Sequence, residues 1–162
     1  MRNAREVKTP TKYVTIFHYT EKHPLYVILD GLLFAFAKYF PSFQIKRDII
    51  RLSGMKVGKY VMISPCILDP IRPDLIELGE YSIIGWDTII LTHEIVRGRM
   101  RIGPVKIGKN VTLGARSIVL PGVKIGDNAI ISAGSLVNKD VPNNAKMGGI
   151  PIKKIRLKWI KN

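Results

Sequence analysis

At 162 residues the chain is long enough for one domain with a real core, and 46% hydrophobic against 23% charged residues excludes a disordered polypeptide. The net charge of +14 is polarised: residues 1–56 carry +6, residues 57–106 zero and residues 107–162 +8, which favours phosphates or anionic surfaces. The basic last segment has Trp159 as its sole aromatic, against a nucleic-acid interface, and Cys66 as the lone cysteine excludes an internal disulfide or a cysteine-rich metal site.

The opening Met1-Arg2-Asn3-Ala4-Arg5 leads into polar sequence with no apolar signal core, so the expected location is cytoplasmic. Residues 1–56 read as an extension followed by a helical cap. Within them, residues 24–40 form a helix opened by Pro24 and ended before Pro41. Residues 42–53 set Phe43, Ile45, Ile49, Ile50 and Leu52 among charges, as an amphipathic helix does. Two uses are open for the pair. They cover the first turn of the fold that follows, or residues 24–53 make a peripheral membrane contact, since Lys12, Lys22, Lys38, Lys46, Arg47 and Arg51 surround very apolar sequence. A transmembrane span fits poorly: the run falls short of ~20 residues and Asp30 at its centre costs roughly 2.5–3.5 kcal/mol.

From residue 57 the sequence repeats every six residues. Lead aliphatics with their successors are Val57-Gly58, Ile63-Ser64, Leu78-Gly79, Ile84-Gly85 and Ile90-Leu91. After a break come Ile107-Gly108, Leu113-Gly114, Val119-Leu120, Ile125-Gly126, Ile131-Ser132 and Val137-Asn138. A small or β-branched residue usually follows four places later, as at Val61, Ser82, Thr88, Val111, Ser117 and Ala129. Neither a helix nor an alternating strand has this period. It calls for a short strand and a corner in every unit, with the recurring glycine expected to free the corner backbone. Three units close a triangular coil of eighteen residues, so Ile125 should stack on Ile107. The fold class is an all-β solenoid, a parallel β-helix over residues 57–142 with the helices as its N-terminal cap and residues 143–162 as a basic C-terminal tail, whose end after Arg156 is expected to close the far end.

The register breaks at residues 94–104, immediately after His93. A repeat interrupted at one point tends to carry its function there. His18 and His23 lie outside the repeat and read as structural or solvated, whereas the neutral imidazole of His93 is available near neutral pH as a general base. Glu94 offers itself as an orienting partner, although adjacent residues on an extended chain point apart.

The stretches Val105-Lys106-Ile107-Gly108-Lys109-Asn110-Val111-Thr112-Leu113-Gly114, Leu120-Pro121-Gly122-Val123-Lys124-Ile125-Gly126-Asp127, Ser132-Ala133-Gly134-Ser135 through Pro142, and Gly148-Gly149-Ile150-Pro151-Ile152-Lys153-Lys154-Ile155-Arg156 resemble the hexapeptide-repeat acyltransferases, in particular their galactoside/maltose acetyltransferase branch. The resemblance covers residues 57 to 156 and implies a left-handed coil, a homotrimer with sites between neighbouring subunits, and acetyl-CoA as co-substrate. It implies that His93, in a Thr-His pair before the excursion, is the catalytic base for acetyl transfer to a hydroxyl or amine of a sugar-like or small acceptor, without an acyl-enzyme. By the same resemblance Ala115, Ala133, Asn138, Lys139, Lys153 and Arg156 contact the coenzyme, and Ser64 with Asp69 (or Asp74) face the acceptor. Trp86, outward in its unit, reads either as an exposed packing residue or as a stacking surface for an acceptor ring. No metal is expected. A zinc enzyme on the same coil needs three histidines, and His93 is the one histidine there. The alternatives are a non-catalytic hexapeptide scaffold and an enzyme that takes its acyl group from an acidic acyl carrier protein.

Overall fold

The computed structural model describes residues 2–8, 23–96 and 99–156. Lys12, His18, Lys22 and the end of the basic tail expected to close the far end, residues 157–162, lie outside the described residues.

The six-residue period produces a three-sided parallel β-helix. Its first face stacks strands Lys56–Val57, Ile76–Leu78, Val105–Ile107 and Lys124–Ile125. Its second stacks Met62–Ile63, Ile83–Ile84, Thr112–Leu113, Ile130–Ile131 and Lys146–Gly148, on which Lys153–Lys154 folds back antiparallel. The third stacks Ile67–Leu68, Ile89–Ile90, Ile118–Val119 and Leu136–Val137. The register aligns the lead aliphatics: Ile107 pairs with Ile125 as expected, Ile63 with Ile84, and Val119 with Val137. These columns and the small residues between them, such as Val61, Val111, Val123 and Ala129, are almost wholly buried and form one continuous core. Burial of each large aliphatic contributes roughly 1.5–3 kcal/mol, which makes the columns the main source of stability. The coil also runs past residue 142, because Met147 pairs with Ile131 and extends the second face.

The glycines work differently from the sequence expectation. At the successor position the requirement is close approach: a Cβ on Gly58 would stand 2.6 Å from the Glu80 nitrogen, and one on Gly85 2.6 Å from the Ala115 nitrogen. Stacked coils leave no room for a side chain there. The left-handed backbone falls two residues later, three after most leads, at Tyr60, Tyr81, Asp87, Asn110, Arg116, Asn128 and Asn144, and at Gly122 and Gly134. Asparagine and aspartate tolerate that conformation better than most residues. The asparagines also bond to one another up one corner, Asn110 Nδ2 donating to Asn128 Oδ1 at 3.0 Å and Asn128 Nδ2 to Asn144 Oδ1 at 3.1 Å.

Helix α1 (Pro24–Lys38) begins with His23 Nδ1 accepting from the Leu25 N–H, and α2 (Phe43–Arg51) with Ser42 Oγ accepting from the Ile45 N–H. Helix α2 covers the first coil, whose outer carbonyls have no further strand to pair with. Lys46 Nζ donates to Ile63 O at 3.1 Å and Arg47 to Val61 O at 3.1 Å. Arg51 donates to Val57 O from both Nε and Nη2, at 3.0 and 2.7 Å. A solenoid edge is thereby closed by cations rather than by another strand. Among the described residues no helix is long and apolar enough to cross a membrane.

The excursion is a hairpin of His93–Val96 and Arg99–Ile102, so it starts at His93 itself. The N-terminal strand Arg5–Lys8 joins its outer edge antiparallel, and the Asn3 N–H donates to Gly122 O at 2.8 Å. The extension therefore straps the excursion to the coil, a pairing with no signature in a four-residue polar strand.

Candidate active site

Leu68 and Ile90 end equivalent strands of the third face, and the chain turns the same corner after each. That corner brings Asp69 of the first coil beneath Thr92 and His93 of the second. The Asp69 side chain is buried and accepts from four donors. Oδ1 takes the Ile71 N–H at 2.9 Å, while Oδ2 takes the Thr92 N–H and Oγ1–H, both at 2.8 Å, and lies 2.5 Å from His93 Nδ1. Burial pushes the carboxyl up, but the His93 hydrogen bond and charge, with the Ile71 and Thr92 amides, outweigh it and hold the group below its ordinary range. An ionised carboxylate only accepts, so Nδ1 carries the proton of the neutral ring and the Nε2 lone pair is left for chemistry. The His93 side chain keeps 19% of its surface exposed.

Two sequence expectations change here. Asp69, expected to face the acceptor, is buried beneath His93 and turns Oδ2 to Thr92 and to His93 Nδ1. Glu94 does not orient His93. It projects from the opposite side of its strand to Arg2 at 3.1 Å and Arg101 at 3.3 Å. Asp74 is likewise turned away, with Arg72 at 2.8 Å. Sequence separation concealed the Asp69–His93 pair, because the extra residues after Asp69 blur the period. The available signal was that both follow the end of a third-face strand.

The other expected residues divide between two corners. Asn138 and Lys139 follow Val137 at the same corner as His93, two coils further along, and the Asn138 Oδ1 is buried with no hydrogen-bond partner among the described residues. Ser64, Ala115 and Ala133 occupy the corner between the second and third faces, with exposed Trp86 in the same column. There the Gly134 N–H donates to Ala115 O and the Arg116 N–H to Trp86 O. Half-buried Ser64 borders a small space under the helical cap beside Lys46 and Cys66. Desolvation pushes the Cys66 thiol up to about 12, against the smaller pull of Lys46 and Lys38, so it is no nucleophile at neutral pH. At the far end of the coil a groove of about 790 Å³ is lined by Lys139, Asn143, Lys146, Lys154 and Arg156. Lys139 and Arg156 both line this groove, and Lys154 rather than Lys153 lines it with them. Among the described residues no three His, Cys, Asp or Glu side chains come together as a metal-binding group.

A family model described as "Hexapeptide repeat of succinyl-transferase" matches residues 104–139. The chain is 40% identical to "Putative acetyltransferase YvoF" of Bacillus subtilis (strain 168) over 147 residues, 89% of this chain and 86% of that one. The chain belongs to the hexapeptide-repeat acetyltransferases. Among solved structures, this acetyltransferase-family chain resembles a maltose O-acetyltransferase from Clostridium difficile 630, at 26% identity and TM-score 0.64 over 85% of this chain and 90% of that one. It shares its fold with a hexapeptide-repeat acetyltransferase of Vibrio cholerae solved in complex with acetyl-coenzyme A, at 19% identity and TM-score 0.65 over 82% of this chain and 86% of that one. The fold of this family member is thus the left-handed parallel β-helix with its helical N-terminal cap.

Proposed function

We propose that the protein transfers an acetyl group from acetyl-CoA, a co-substrate consumed in each turnover, to a hydroxyl of a sugar-like or small acceptor. The observation that carries this reading is the buried Asp69 carboxylate holding His93 by Nδ1. His93 Nε2 takes the hydroxyl proton as the acceptor oxygen bonds to the thioester carbonyl carbon. Collapse of the tetrahedral oxyanion breaks the carbon–sulfur bond, and the same nitrogen returns its proton to the departing thiolate. Asp69 fixes the tautomer and stabilises the imidazolium between the two steps. No acyl-enzyme is needed, and the raised Cys66 thiol is consistent with that.

The coenzyme's phosphates suit the groove cations Lys139, Lys146, Lys154 and Arg156, and Asn138 lies between that groove and His93 along one corner. Ala115 and Ala133 stand a full side of the triangle away, roughly 15–20 Å at ~3.3 Å per residue. One prism cannot bring both corners to a single thioester, which supports a homotrimer with each site shared by neighbouring copies. The outward residues of the third face agree. Ile67, Ile89, Ile118 and Leu136 make an apolar column there, whereas the first face presents Lys56, Glu77, Lys106 and Lys124. Ser64 and Trp86, at the corner that would meet the neighbour's His93, are the residues proposed for acceptor contact.

The test is a panel of sugars, small alcohols and amines incubated with acetyl-CoA, read by free-thiol release and product mass. Acceptor-dependent thiol release with an added acetyl mass supports the reading. Release from acetylated acyl carrier protein alone, or no transfer at all, contradicts it in favour of a carrier-dependent enzyme or a binding scaffold.

A further inference from the structure

Helix α1 is built inside out. Its buried residues include Asp30, while Leu25, Ile28, Leu29, Leu32, Phe36 and Tyr39 on the opposite side are 50–72% exposed. A 100° step between residues puts all six within one outward half of the helix. That half carries no charged or amide side chain from Leu25 to Tyr39. A water-facing helix normally shows the reverse arrangement, and a contiguous apolar patch of this kind marks a surface that something covers.

We infer that the outward face of α1 seats on an anionic lipid bilayer, lying in the interface without crossing it. Fifteen residues rise about 22 Å, short of the ~30 Å hydrocarbon core, so the helix can lie in the surface but not span it. Charge selects lipid over a second copy. The chain carries +14, with +6 in the first 56 residues, so two cap ends brought together repel, whereas an acidic headgroup layer attracts them. Lys46, Arg47 and Arg51 of α2, bonded to coil carbonyls, place three basic side chains at this end of the prism. Lys38 lies over the Tyr39 ring at the helix C-terminus, where a cation and an aromatic ring suit the headgroup layer. In a parallel trimer all three α1 helices face the same way, so each assembly would present three such faces to one membrane.

Flotation of the full chain with phosphatidylcholine vesicles containing phosphatidylglycerol, against phosphatidylcholine alone, tests this. The protein should rise with the anionic vesicles, at least tenfold more than with neutral ones, and L32E/F36E should stay at the bottom with an unchanged thermal transition. Should that double variant unfold, Phe36→Trp gives a second reading: the emission of the added indole, taken as the difference from wild type, shifts to the blue on adding anionic vesicles. Wild type that stays at the bottom, a double variant that floats equally, or an added indole whose emission is indifferent to lipid overturns the inference. So does an assembly of doubled mass that L32E/F36E halves, since the occupant is then a second copy.

Discussion

At the scale of single residues the decisive contact is a carboxylate under an imidazole. Asp69→Asn keeps the size but presents an amide to donors that need an acceptor, so His93 loses its fixed tautomer. The expected result is a fall in kcat of ~10²-fold or more with KM for acetyl-CoA little changed, measured by initial-rate kinetics. The same pair sets an acid limb to stability. The folded carboxyl titrates below its ordinary value of 3.8, so its contribution is complete above that pH and drains away as the pH falls through the folded value. Urea unfolding midpoints should therefore drop more steeply below about pH 4 in wild type than in Asp69→Asn. His93 was legible in the sequence because the repeat stops beside it. Asp69 was visible only as a carboxylate near the acceptor side, since its burial depends on how two coils of unequal length align.

At the scale of elements units such as Ile84–Asp87 and Leu113–Arg116 make two backbone demands, and they differ in kind. The successor glycine must lack a Cβ because the next coil lies against it, whereas the third residue must adopt a positive φ. Gly85→Ala should therefore cost ~1–3 kcal/mol through overpacking. Arg116→Gly, at φ 58°, should stay within ~1 kcal/mol of wild type, relief of the left-handed backbone offsetting the added freedom of the unfolded chain. Chemical denaturation of both variants distinguishes these roles, and equal losses would contradict them. The lead aliphatics, the coil and both helices could be read from period and composition, because buried columns impose a strict spacing. The strand Arg5–Lys8 could not, since its partners lie over ninety residues away and its side chains carry no alternation.

For the whole molecule the question is how one prism, with its expected site residues on two corners, makes a site. The apolar third face supplies the answer in the proposed trimer. Ile118→Glu should move sedimentation from trimer to monomer and abolish transfer without touching His93. The composition was informative at this scale too, because the +8 of residues 107–162 collects in part around the groove of Lys139, Lys146, Lys154 and Arg156. Acceptor identity left no comparable mark, because in the proposed trimer the acceptor would be held by a few side chains shared between two copies. The proposed role of His93 is tested most directly by His93→Ala, with acetyl transfer and coenzyme A affinity measured on the same preparation. A fall in kcat of ~10²–10⁴-fold with coenzyme A affinity unchanged is the expected result. Transfer at the wild-type rate would contradict the assignment of His93 as the base.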